Sequence, residues 1–349
     1  MANIINKHIL EMDSTESVFG NFKLRMESAN ARPGKLITTP IESFERHEEF
    51  FDWEWFHTFN TDFFETGDKI LWIGSCIAED FADGFAKYAD NNVIRIGQGV
   101  NSFRSQELYL RWLFNDEPID YSNNPLWEGY KDSLYNLSKR DRQMMLMQLQ
   151  NTNKVVLFTG TTELLHDKHT GLDMPMMPPM QFLNRERHII RRISYEENIQ
   201  SLRNIVNLLE KHLTKNVLFI TTPFSQASQS WEGDLPPIPL TFEQKAHIKS
   251  AVSIVAPDNY FPMYEMIYEY FPSFRDKGTH IHNDIIYQFV DMLALWYSNF
   301  DTVYTKKEFM KEFCTVRKSF VQRALESRAL PKEHVPAARE TKYESVDYF

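Results

Sequence analysis

Short apolar runs, each continuous and rich in branched or aromatic residues, recur along the chain and end in small or polar residues. Four runs have this form: residues 69–73, 93–96, 155–158 and 216–222. Continuous apolar runs of this length are typical of strands that are buried on both faces of a parallel sheet. The pattern therefore predicts four strands of one such sheet.

Segments with helical spacing of apolar residues separate the predicted strands. Five are clear: residues 79–88, 105–113, 196–213, 242–253 and 285–296. Strands that alternate with helices predict a wound, mostly parallel α/β sheet that is flanked by helices. We place this α/β domain at residues 65–300.

Other parts of the chain do not follow this alternation. Residues 1–64 are mixed and rich in aromatic residues, and we interpret them as an N-terminal arm packed on the domain. Residues 115–153 and 166–192 are helical or irregular insertions that leave the carboxyl edge of the sheet, where insertions commonly form lids. Residues 301–349 are predicted to form a helical extension with a polar tail.

Charge and cysteine content narrow the classes of partner and compartment. The 349 residues carry a formal net charge of −10, which argues against a nucleic-acid surface because such a surface needs clustered positive charge. The chain has 2 cysteines, its first residues lack the plan of a signal peptide, and no stretch approaches the ~20 apolar residues of a membrane span. We therefore expect a cytoplasmic protein without a membrane span; oligomeric state is not predicted.

Small and polar residues cluster where the predicted strands end. Because the carboxyl ends of parallel strands share one edge, these clusters predict a single site there. The clusters are residues 74–75, 97–99, 159–163 and 221–222.

Ser75 has the sequence context of a nucleophile. It follows a predicted strand and Gly74, and it precedes a predicted helix. Glycine permits a tight turn, and the start of the helix favours the negative charge of an oxyanion. The same position also suits an ordinary helix N-cap, so this fragment alone leaves both interpretations open.

His280 is the candidate base. It lies on the loop that enters the last predicted helix, from which an imidazole can reach across the sheet edge to Ser75. Asp276, on the same loop, can orient the imidazole. The alternative is a polar loop with two solvated histidines, His280 and His282.

The run Ile-Gly-Ser-Cys-Ile-Ala-Glu at residues 73–79 resembles the signature of the GSCFA family, a branch of the SGNH (GDSL-like) hydrolases. Three further blocks occur in the family's order: residues 160–163, residues 260–266, and His280 before its helix. The resemblance spans residues 69–296 and implies an SGNH-hydrolase-like, flavodoxin-like three-layer α/β fold.

The resemblance also implies roles for individual residues. By position, Ser75 would be the nucleophile and His280 the base, and Asp276 is the candidate acid of a triad. The oxyanion hole would comprise Ser75, Gly99 and Thr162, with Glu163 as the alternative to Thr162. The candidate substrate contacts are Glu163, Asn101 and His282. The resemblance implies neither a cofactor nor a metal.

The chain departs from the family pattern beside His280. Lys277 occupies the position of the acid, three residues before the histidine, and Asp276 lies one residue further back. Three arrangements remain open: Asp276 serves after a one-residue insertion, a backbone carbonyl orients His280 in a dyad, or the site is degenerate. His282 is the alternative base.

The favoured function is a serine-dependent esterase or O-acyltransferase that acts on an acylated carbohydrate or glycoconjugate through an acyl-serine. The resemblance suggests bacterial polysaccharide modification, with an acyl donor such as acyl-CoA as a candidate second substrate. A non-catalytic carbohydrate or acyl-carrier binding protein is the alternative. A third interpretation is a metal-dependent hydrolase that uses His166 and His169, which stand near Asp167 and Asp173.

Overall fold

The computed structural model describes residues 63–74, 76–89, 92–96, 100–117, 139–174, 186–223, 237–271, 281–300 and 305–329. Several predictions concern residues outside these ranges: most of the N-terminal arm, the polar tail, and Ser75, Gly99, Asp276 and His280.

The central sheet has five parallel strands: β1 (Ile70–Ile73), β2 (Val93–Ile96), β3 (Lys154–Thr159), β7 (Val217–Thr221) and β8 (Tyr260–Phe261). Their order across the sheet is β2-β1-β3-β7-β8, with parallel pairing throughout. This is the flavodoxin-like strand order, in which the chain reverses direction across the sheet between β1 and β3. The four apolar runs are thus confirmed as strands, and the two-residue β8 is an addition to them.

Helices cover the sheet on both faces. They are α1 (Cys76–Phe85), α2 (Phe103–Asn115), α3 (Lys139–Gln148), α4 (Tyr195–His212), α5 (Pro237–Val255), α6 (Met263–Tyr270), α7 (Asn283–Trp296) and α8 (Lys306–Ala329). Helix α4 packs against α2 and α5, whereas α7 packs against α1 and α8. The predicted three-layer α/β fold is confirmed. Among the described residues, no helix is long and apolar enough to cross a bilayer.

The alternation of side chains along the strands produces the two cores. Leu71 and Ile73 of β1 point to one face, where they join the apolar cluster that includes Leu110 of α2 and Leu202 of α4. Trp72 points to the other face, where its ring contacts aromatic side chains with centroid separations of 5.4–6.4 Å: Phe64, Phe81, Phe85 and Phe158. Because β1 is buried on both faces, its sequence shows a continuous apolar run.

Helices α1 and α7 approach each other closely at Gly84. A Cβ atom at this position would lie 3.1 Å and 3.3 Å from the two methyl groups of Val290. Beyond the end of α1, the Tyr88 hydroxyl donates to the Asp291 carboxylate of α7 at 2.7 Å, and the Tyr88 ring stacks on Phe300, which follows α7, with centroids 6.3 Å apart. Because the segments just past the two helices meet, α1 and α7 run parallel and begin at the same end of the molecule.

A second, antiparallel sheet spans residues 163–192 and so begins three residues before the predicted insertion at 166–192. Its strands are β4 (Glu163–Asp167), β5 (Leu172–Asp173) and β6 (His188–Arg192), in the order β5-β4-β6. Charged residues, which pair with one another in the folded chain, interrupt the apolar pattern of these short segments. The sequence therefore does not show them as strands. The role of this region as a lid stays a prediction.

Buried ion pairs hold this second sheet together. Asp167 is fully buried and accepts two hydrogen bonds from the Arg187 guanidinium, at 2.7 Å and 2.9 Å. Arg191 binds both carboxylate oxygens of Asp173, at 2.7 Å and 2.8 Å. Burial alone would raise the pKa of Asp167, but the hydrogen bonds from Arg187 and the His169 backbone outweigh it and lower this pKa to about 2.

We expect Asp167→Asn to flatten the acid limb of the stability curve. A carboxyl group whose pKa falls from about 4 in the unfolded chain to about 2 contributes stability that is complete above pH ~4 and is lost as the pH falls toward ~2. For the wild type this contribution is on the order of 2 kcal/mol. Urea denaturation at several pH values between 2 and 7 measures it.

The control is Asp258→Asn, which changes an exposed carboxylate and is expected to stay within about 0.5 kcal/mol of wild type. Parallel stability curves for wild type and Asp167→Asn would show that this ion pair does not govern the acid limb.

Candidate active site

The residue after β1 is Gly74, and any larger residue there would force neighbouring atoms to move. Gly74 has φ +153°, and a Cβ atom there would lie 2.7 Å from Phe158 Cβ and 3.1 Å from the Phe158 carbonyl oxygen. On its other side, the Gly74 N–H donates to the Ile96 carbonyl at 3.3 Å. The chain thus leaves β1 between the ends of β2 and β3, and α1 begins two residues later at Cys76.

The loops after β2 and β3 are joined to each other across the end of β1. The Asn101 carbonyl oxygen accepts hydrogen bonds from the backbone N–H groups of Gly160 at 2.9 Å and Thr161 at 3.2 Å. Because β2 and β3 lie on opposite sides of β1, these bonds connect the two loops across the end of β1. Of the clusters that the sequence assigns to one edge, the described residues 74, 159–163 and 221–222 follow neighbouring parallel strands there.

Gln106 reinforces this connection from within the core. Its amide nitrogen donates to the carbonyl oxygens of Val100 at 3.2 Å and Phe158 at 2.6 Å. Its amide oxygen accepts from Thr159 Oγ1 at 3.1 Å. Sequence reasoning missed this fully buried residue, although an amide on the apolar face of a helix, four residues before Leu110, was a usable signal.

Helix α2 begins at the same edge with a capping box. Ser102 Oγ accepts from the Ser105 N–H at 3.2 Å, and Ser105 Oγ accepts from the Ser102 N–H at 3.0 Å. A reciprocal cap of this kind satisfies backbone donors that would otherwise lack partners at the start of a helix. It also fixes the backbone that immediately follows Asn101.

Three residues that the resemblance assigns to the oxyanion hole or the substrate lie in this part of the structure. Asn101 is half-buried, whereas Thr162 and Glu163 are 3% and 5% exposed. The Thr162 carbonyl accepts from the Ile193 N–H at 2.7 Å, and the Glu163 N–H donates to Thr161 Oγ1 at 3.0 Å. The structure thus places all three at or beside the joined loops; their roles stay predictions.

His282 lies at the start of α7, with its ring against the C-terminal helix. The ring centroid is 5.1 Å from that of Phe320, at an interplanar angle of 69°. The imidazole thus packs in a T-shaped contact against an apolar partner.

The first residues of α1 and α7 lie at similar distances from the point where the two helices touch. Gly84 and Val290 form that contact. At a rise of ~1.5 Å per residue, Cys76 lies about 12 Å from the contact along its helix axis, and Asn283 lies about 10 Å from it in the same direction. The first residues of both helices therefore lie toward the end of the molecule at which Gly74 lies.

The histidines considered as metal ligands stand beside carboxylates that arginines already neutralise. His166 Nδ1 is 2.9 Å from Asp173 Oδ1, and Asp173 also binds Arg191. Asp167 binds Arg187 and accepts from the backbone N–H of His169. Within the part of the chain that the structure describes, no group of three or more His, Cys, Asp and Glu residues could hold a metal ion.

The segment 260–266 contains β8 and the start of α6, and a side-chain hydrogen bond within it connects the two elements. The Tyr260 hydroxyl lies 3.0 Å and 2.9 Å from the two carboxylate oxygens of Glu265, to which it donates. Lys249 Nζ lies 3.5 Å from the centre of the Tyr260 ring. Burial, with the nearby Glu265 charge, raises the pKa of Tyr260 well above its usual range, so this hydroxyl is a hydrogen-bond donor in the core.

Comparison with known proteins gives a family match. The model of the GSCFA family matches residues 69–288. Among curated proteins, none matches the chain. One similar solved structure is a catalytic mutant (Axe2_S15A) of Axe2, an acetylxylan esterase from Geobacillus stearothermophilus. The two chains share 14% sequence identity over 68% of this chain and 98% of that chain, with a TM-score of 0.35. At this TM-score the likeness supports no inference about activity.

We expect Gly74→Ala to be strongly destabilising. The added methyl group meets Phe158 Cβ and its backbone, and the overpacking adds about 1–3 kcal/mol to the cost of a φ that alanine disfavours. The control is Gly67→Ala, which also has positive φ (+89°) but no atom within 4 Å of the new methyl group. Urea denaturation of both variants separates close packing from backbone strain, and equal losses would show that close packing at Gly74 contributes nothing.

Proposed function

This chain belongs to the GSCFA family, and from that premise we propose that it is a serine-dependent esterase or O-acyltransferase that acts through an acyl-serine intermediate. The observation that carries the proposal is the position of Gly74. Gly74, which directly precedes Ser75 in the sequence, lies where the strand order reverses, and ligands bind at that point in folds of this order. The loops after β2 and β3 are joined across this end of β1.

Ser75 is the proposed nucleophile. It directly precedes α1, whose positive end favours negative charge on a bound oxygen. We assign the oxyanion hole to the Ser75 and Gly99 N–H groups and to Thr162. The hydrogen bonds of Gln106 and Asn101 support this assignment because they give the two flanking loops one arrangement before substrate binds.

His280 is the proposed base. It stands three residues before Asn283, and the parallel packing of α1 and α7 brings the starts of both helices to similar heights. His282 is the weaker candidate, since its ring packs on Phe320. Asp276 or a backbone carbonyl orients the imidazole of His280 and sets its tautomer.

The proposed reaction has two balanced steps. In the first, Ser75 Oγ attacks the ester carbonyl while His280 takes its proton, and the leaving alcohol departs with that proton as its C–O bond breaks. In the second, water or an acceptor hydroxyl gives its proton to His280 and attacks the acyl-serine; the bond between the acyl carbon and Ser75 Oγ breaks, and Oγ takes that proton back from His280, which restores both residues. Water yields hydrolysis, and a sugar hydroxyl yields acyl transfer.

The proposed substrate is an acylated carbohydrate or glycoconjugate, with an acyl donor such as acyl-CoA required if the reaction is a transfer. Asn101, whose backbone is fixed and whose side chain is half-buried, is suited to hydrogen-bond a sugar hydroxyl. Glu163 and His282 are the other proposed contacts.

We expect a fluorophosphonate probe to label the wild-type protein once, at Ser75. Ser75→Ala is expected to abolish labelling because it removes the nucleophile, and His280→Ala is expected to slow it at least 100-fold because it removes the base. Intact mass gives the stoichiometry, and peptide mapping gives the site.

His282→Ala is the matched comparison for the base. Loss of labelling in His282→Ala, with labelling kept in His280→Ala, would reverse the assignment of the two histidines. A folded wild type that is not labelled would contradict the catalytic proposal and favour a non-catalytic carbohydrate or acyl-carrier binding protein on the same scaffold.

A further inference from the structure

We propose that Lys245 is a positioning residue of the candidate active site, and that it fixes the loop after β3 through the Gly160 carbonyl oxygen. The inference rests on the proposed function, which it extends to a residue of α5. Sequence reasoning assigned no role to Lys245, since it lies in the middle of an ordinary helical segment.

Lys245 is one of the most deeply buried charged residues described. It is 2% exposed, and its Nζ donates a hydrogen bond to the Gly160 carbonyl oxygen. The Tyr264 ring lies on the same ammonium group, 5.8 Å from Nζ to the ring centre. Burial of an ammonium group costs several kcal/mol unless polar partners offset that cost, so the hydrogen bond to Gly160 strongly restrains this carbonyl.

Gly160 lies too close to its neighbours for any larger residue. A Cβ atom there would collide with Thr222 Oγ1 and lie 3.8 Å from Lys245 Nζ. The Thr222 N–H also donates to the Thr159 carbonyl at 3.0 Å. The loop after β3 is thus held against the end of β7 and also receives a hydrogen bond from a buried cation.

From Gly160, the hydrogen bonds continue across the sheet edge as a chain. The peptide group that carries the Gly160 carbonyl also carries the Thr161 N–H, which donates to the Asn101 carbonyl at 3.2 Å. The peptide group of that carbonyl carries the Ser102 N–H, which donates to Ser105 Oγ at 3.0 Å. Every link passes from donor to acceptor in the same direction, an arrangement in which hydrogen bonds polarise and strengthen one another.

This chain passes over the end of β1, where Gly74 precedes Ser75. It begins at a cation on α5 and ends at the cap of α2, so it joins both flanking loops to rigid helices. Loss of the cation is expected to loosen the loop that carries Thr162, which the proposed function places in the oxyanion hole. A group held only slightly out of place can lower the rate of the chemical step by about 10²-fold without weakening substrate binding.

The test compares Lys245→Met, Lys245→Arg and the control Lys249→Met. Methionine keeps the apolar stem but removes the donor and the charge, whereas arginine keeps both. Lys249 lies one helical turn away and contacts the Tyr260 ring, so Lys249→Met removes an equal charge from the same helix without touching Gly160. The readouts are the rate of Ser75 labelling by a fluorophosphonate, and kcat and KM for hydrolysis of an activated acetate ester.

We expect Lys245→Met to lower the labelling rate and kcat at least tenfold with KM within about threefold of wild type, because positioning acts on the chemical step. Lys245→Arg is expected to restore most of the loss, and Lys249→Met to remain near wild type. Equal rates for Lys245→Met and wild type, or a change in KM alone, would overturn the proposal.

Amide hydrogen exchange gives a readout that does not depend on activity. Lys245→Met is expected to exchange faster in residues 158–163, with residues 202–209 of the core unchanged. If the wild type is not labelled at Ser75, the proposed function fails, and exchange alone then decides whether Lys245 fixes the loop. If Lys245→Met does not fold, Lys245→Leu, which also removes the donor and the charge, replaces it in both measurements. Unchanged exchange in residues 158–163 of a folded variant would overturn the role of Lys245.

Discussion

The close approach of three strand ends at Gly74 is the constraint on which the candidate site depends. Phe158 lies where a side chain at residue 74 would have to be, and the Ile96 carbonyl accepts the Gly74 N–H from the other side. The end of β1 therefore lies between two neighbouring loops, and α1 begins two residues after Gly74. Both loops can then contribute to one site without a long excursion of the chain.

Buried polar groups maintain this geometry through hydrogen bonds to backbone atoms. Gln106 binds the carbonyls of Val100 and Phe158, the Asn101 carbonyl receives two N–H groups, and Lys245 binds the Gly160 carbonyl. A buried polar side chain without partners would be costly, so these groups hold the loops in one arrangement. The contact between Gly84 and Val290 fixes the position of α7 along α1.

The fold was predictable where burial imposes a simple pattern. Strands β1, β3 and β7 are buried on both faces, so their sequences show continuous apolar runs, and the helices between them show apolar faces. The second sheet was missed because Asp167 and Asp173 pair with arginines from β6 and from the turn before it, and such pairs are invisible as long as the partners are unknown. Strand β8 was missed because two residues carry no periodicity.

The sequence by itself determined the α/β class, the GSCFA family and the identity of the candidate nucleophile and base, because these depend on local pattern and on ordered motifs. Only the tertiary structure decided which side chains hold the site together. Gln106, Lys245 and Gly84 are separated in sequence from Phe158, Gly160 and Val290, the residues that they contact. Such contacts depend on how helices and strands pack in space, and periodicity along the chain reports which face of an element is buried but not what lies opposite it.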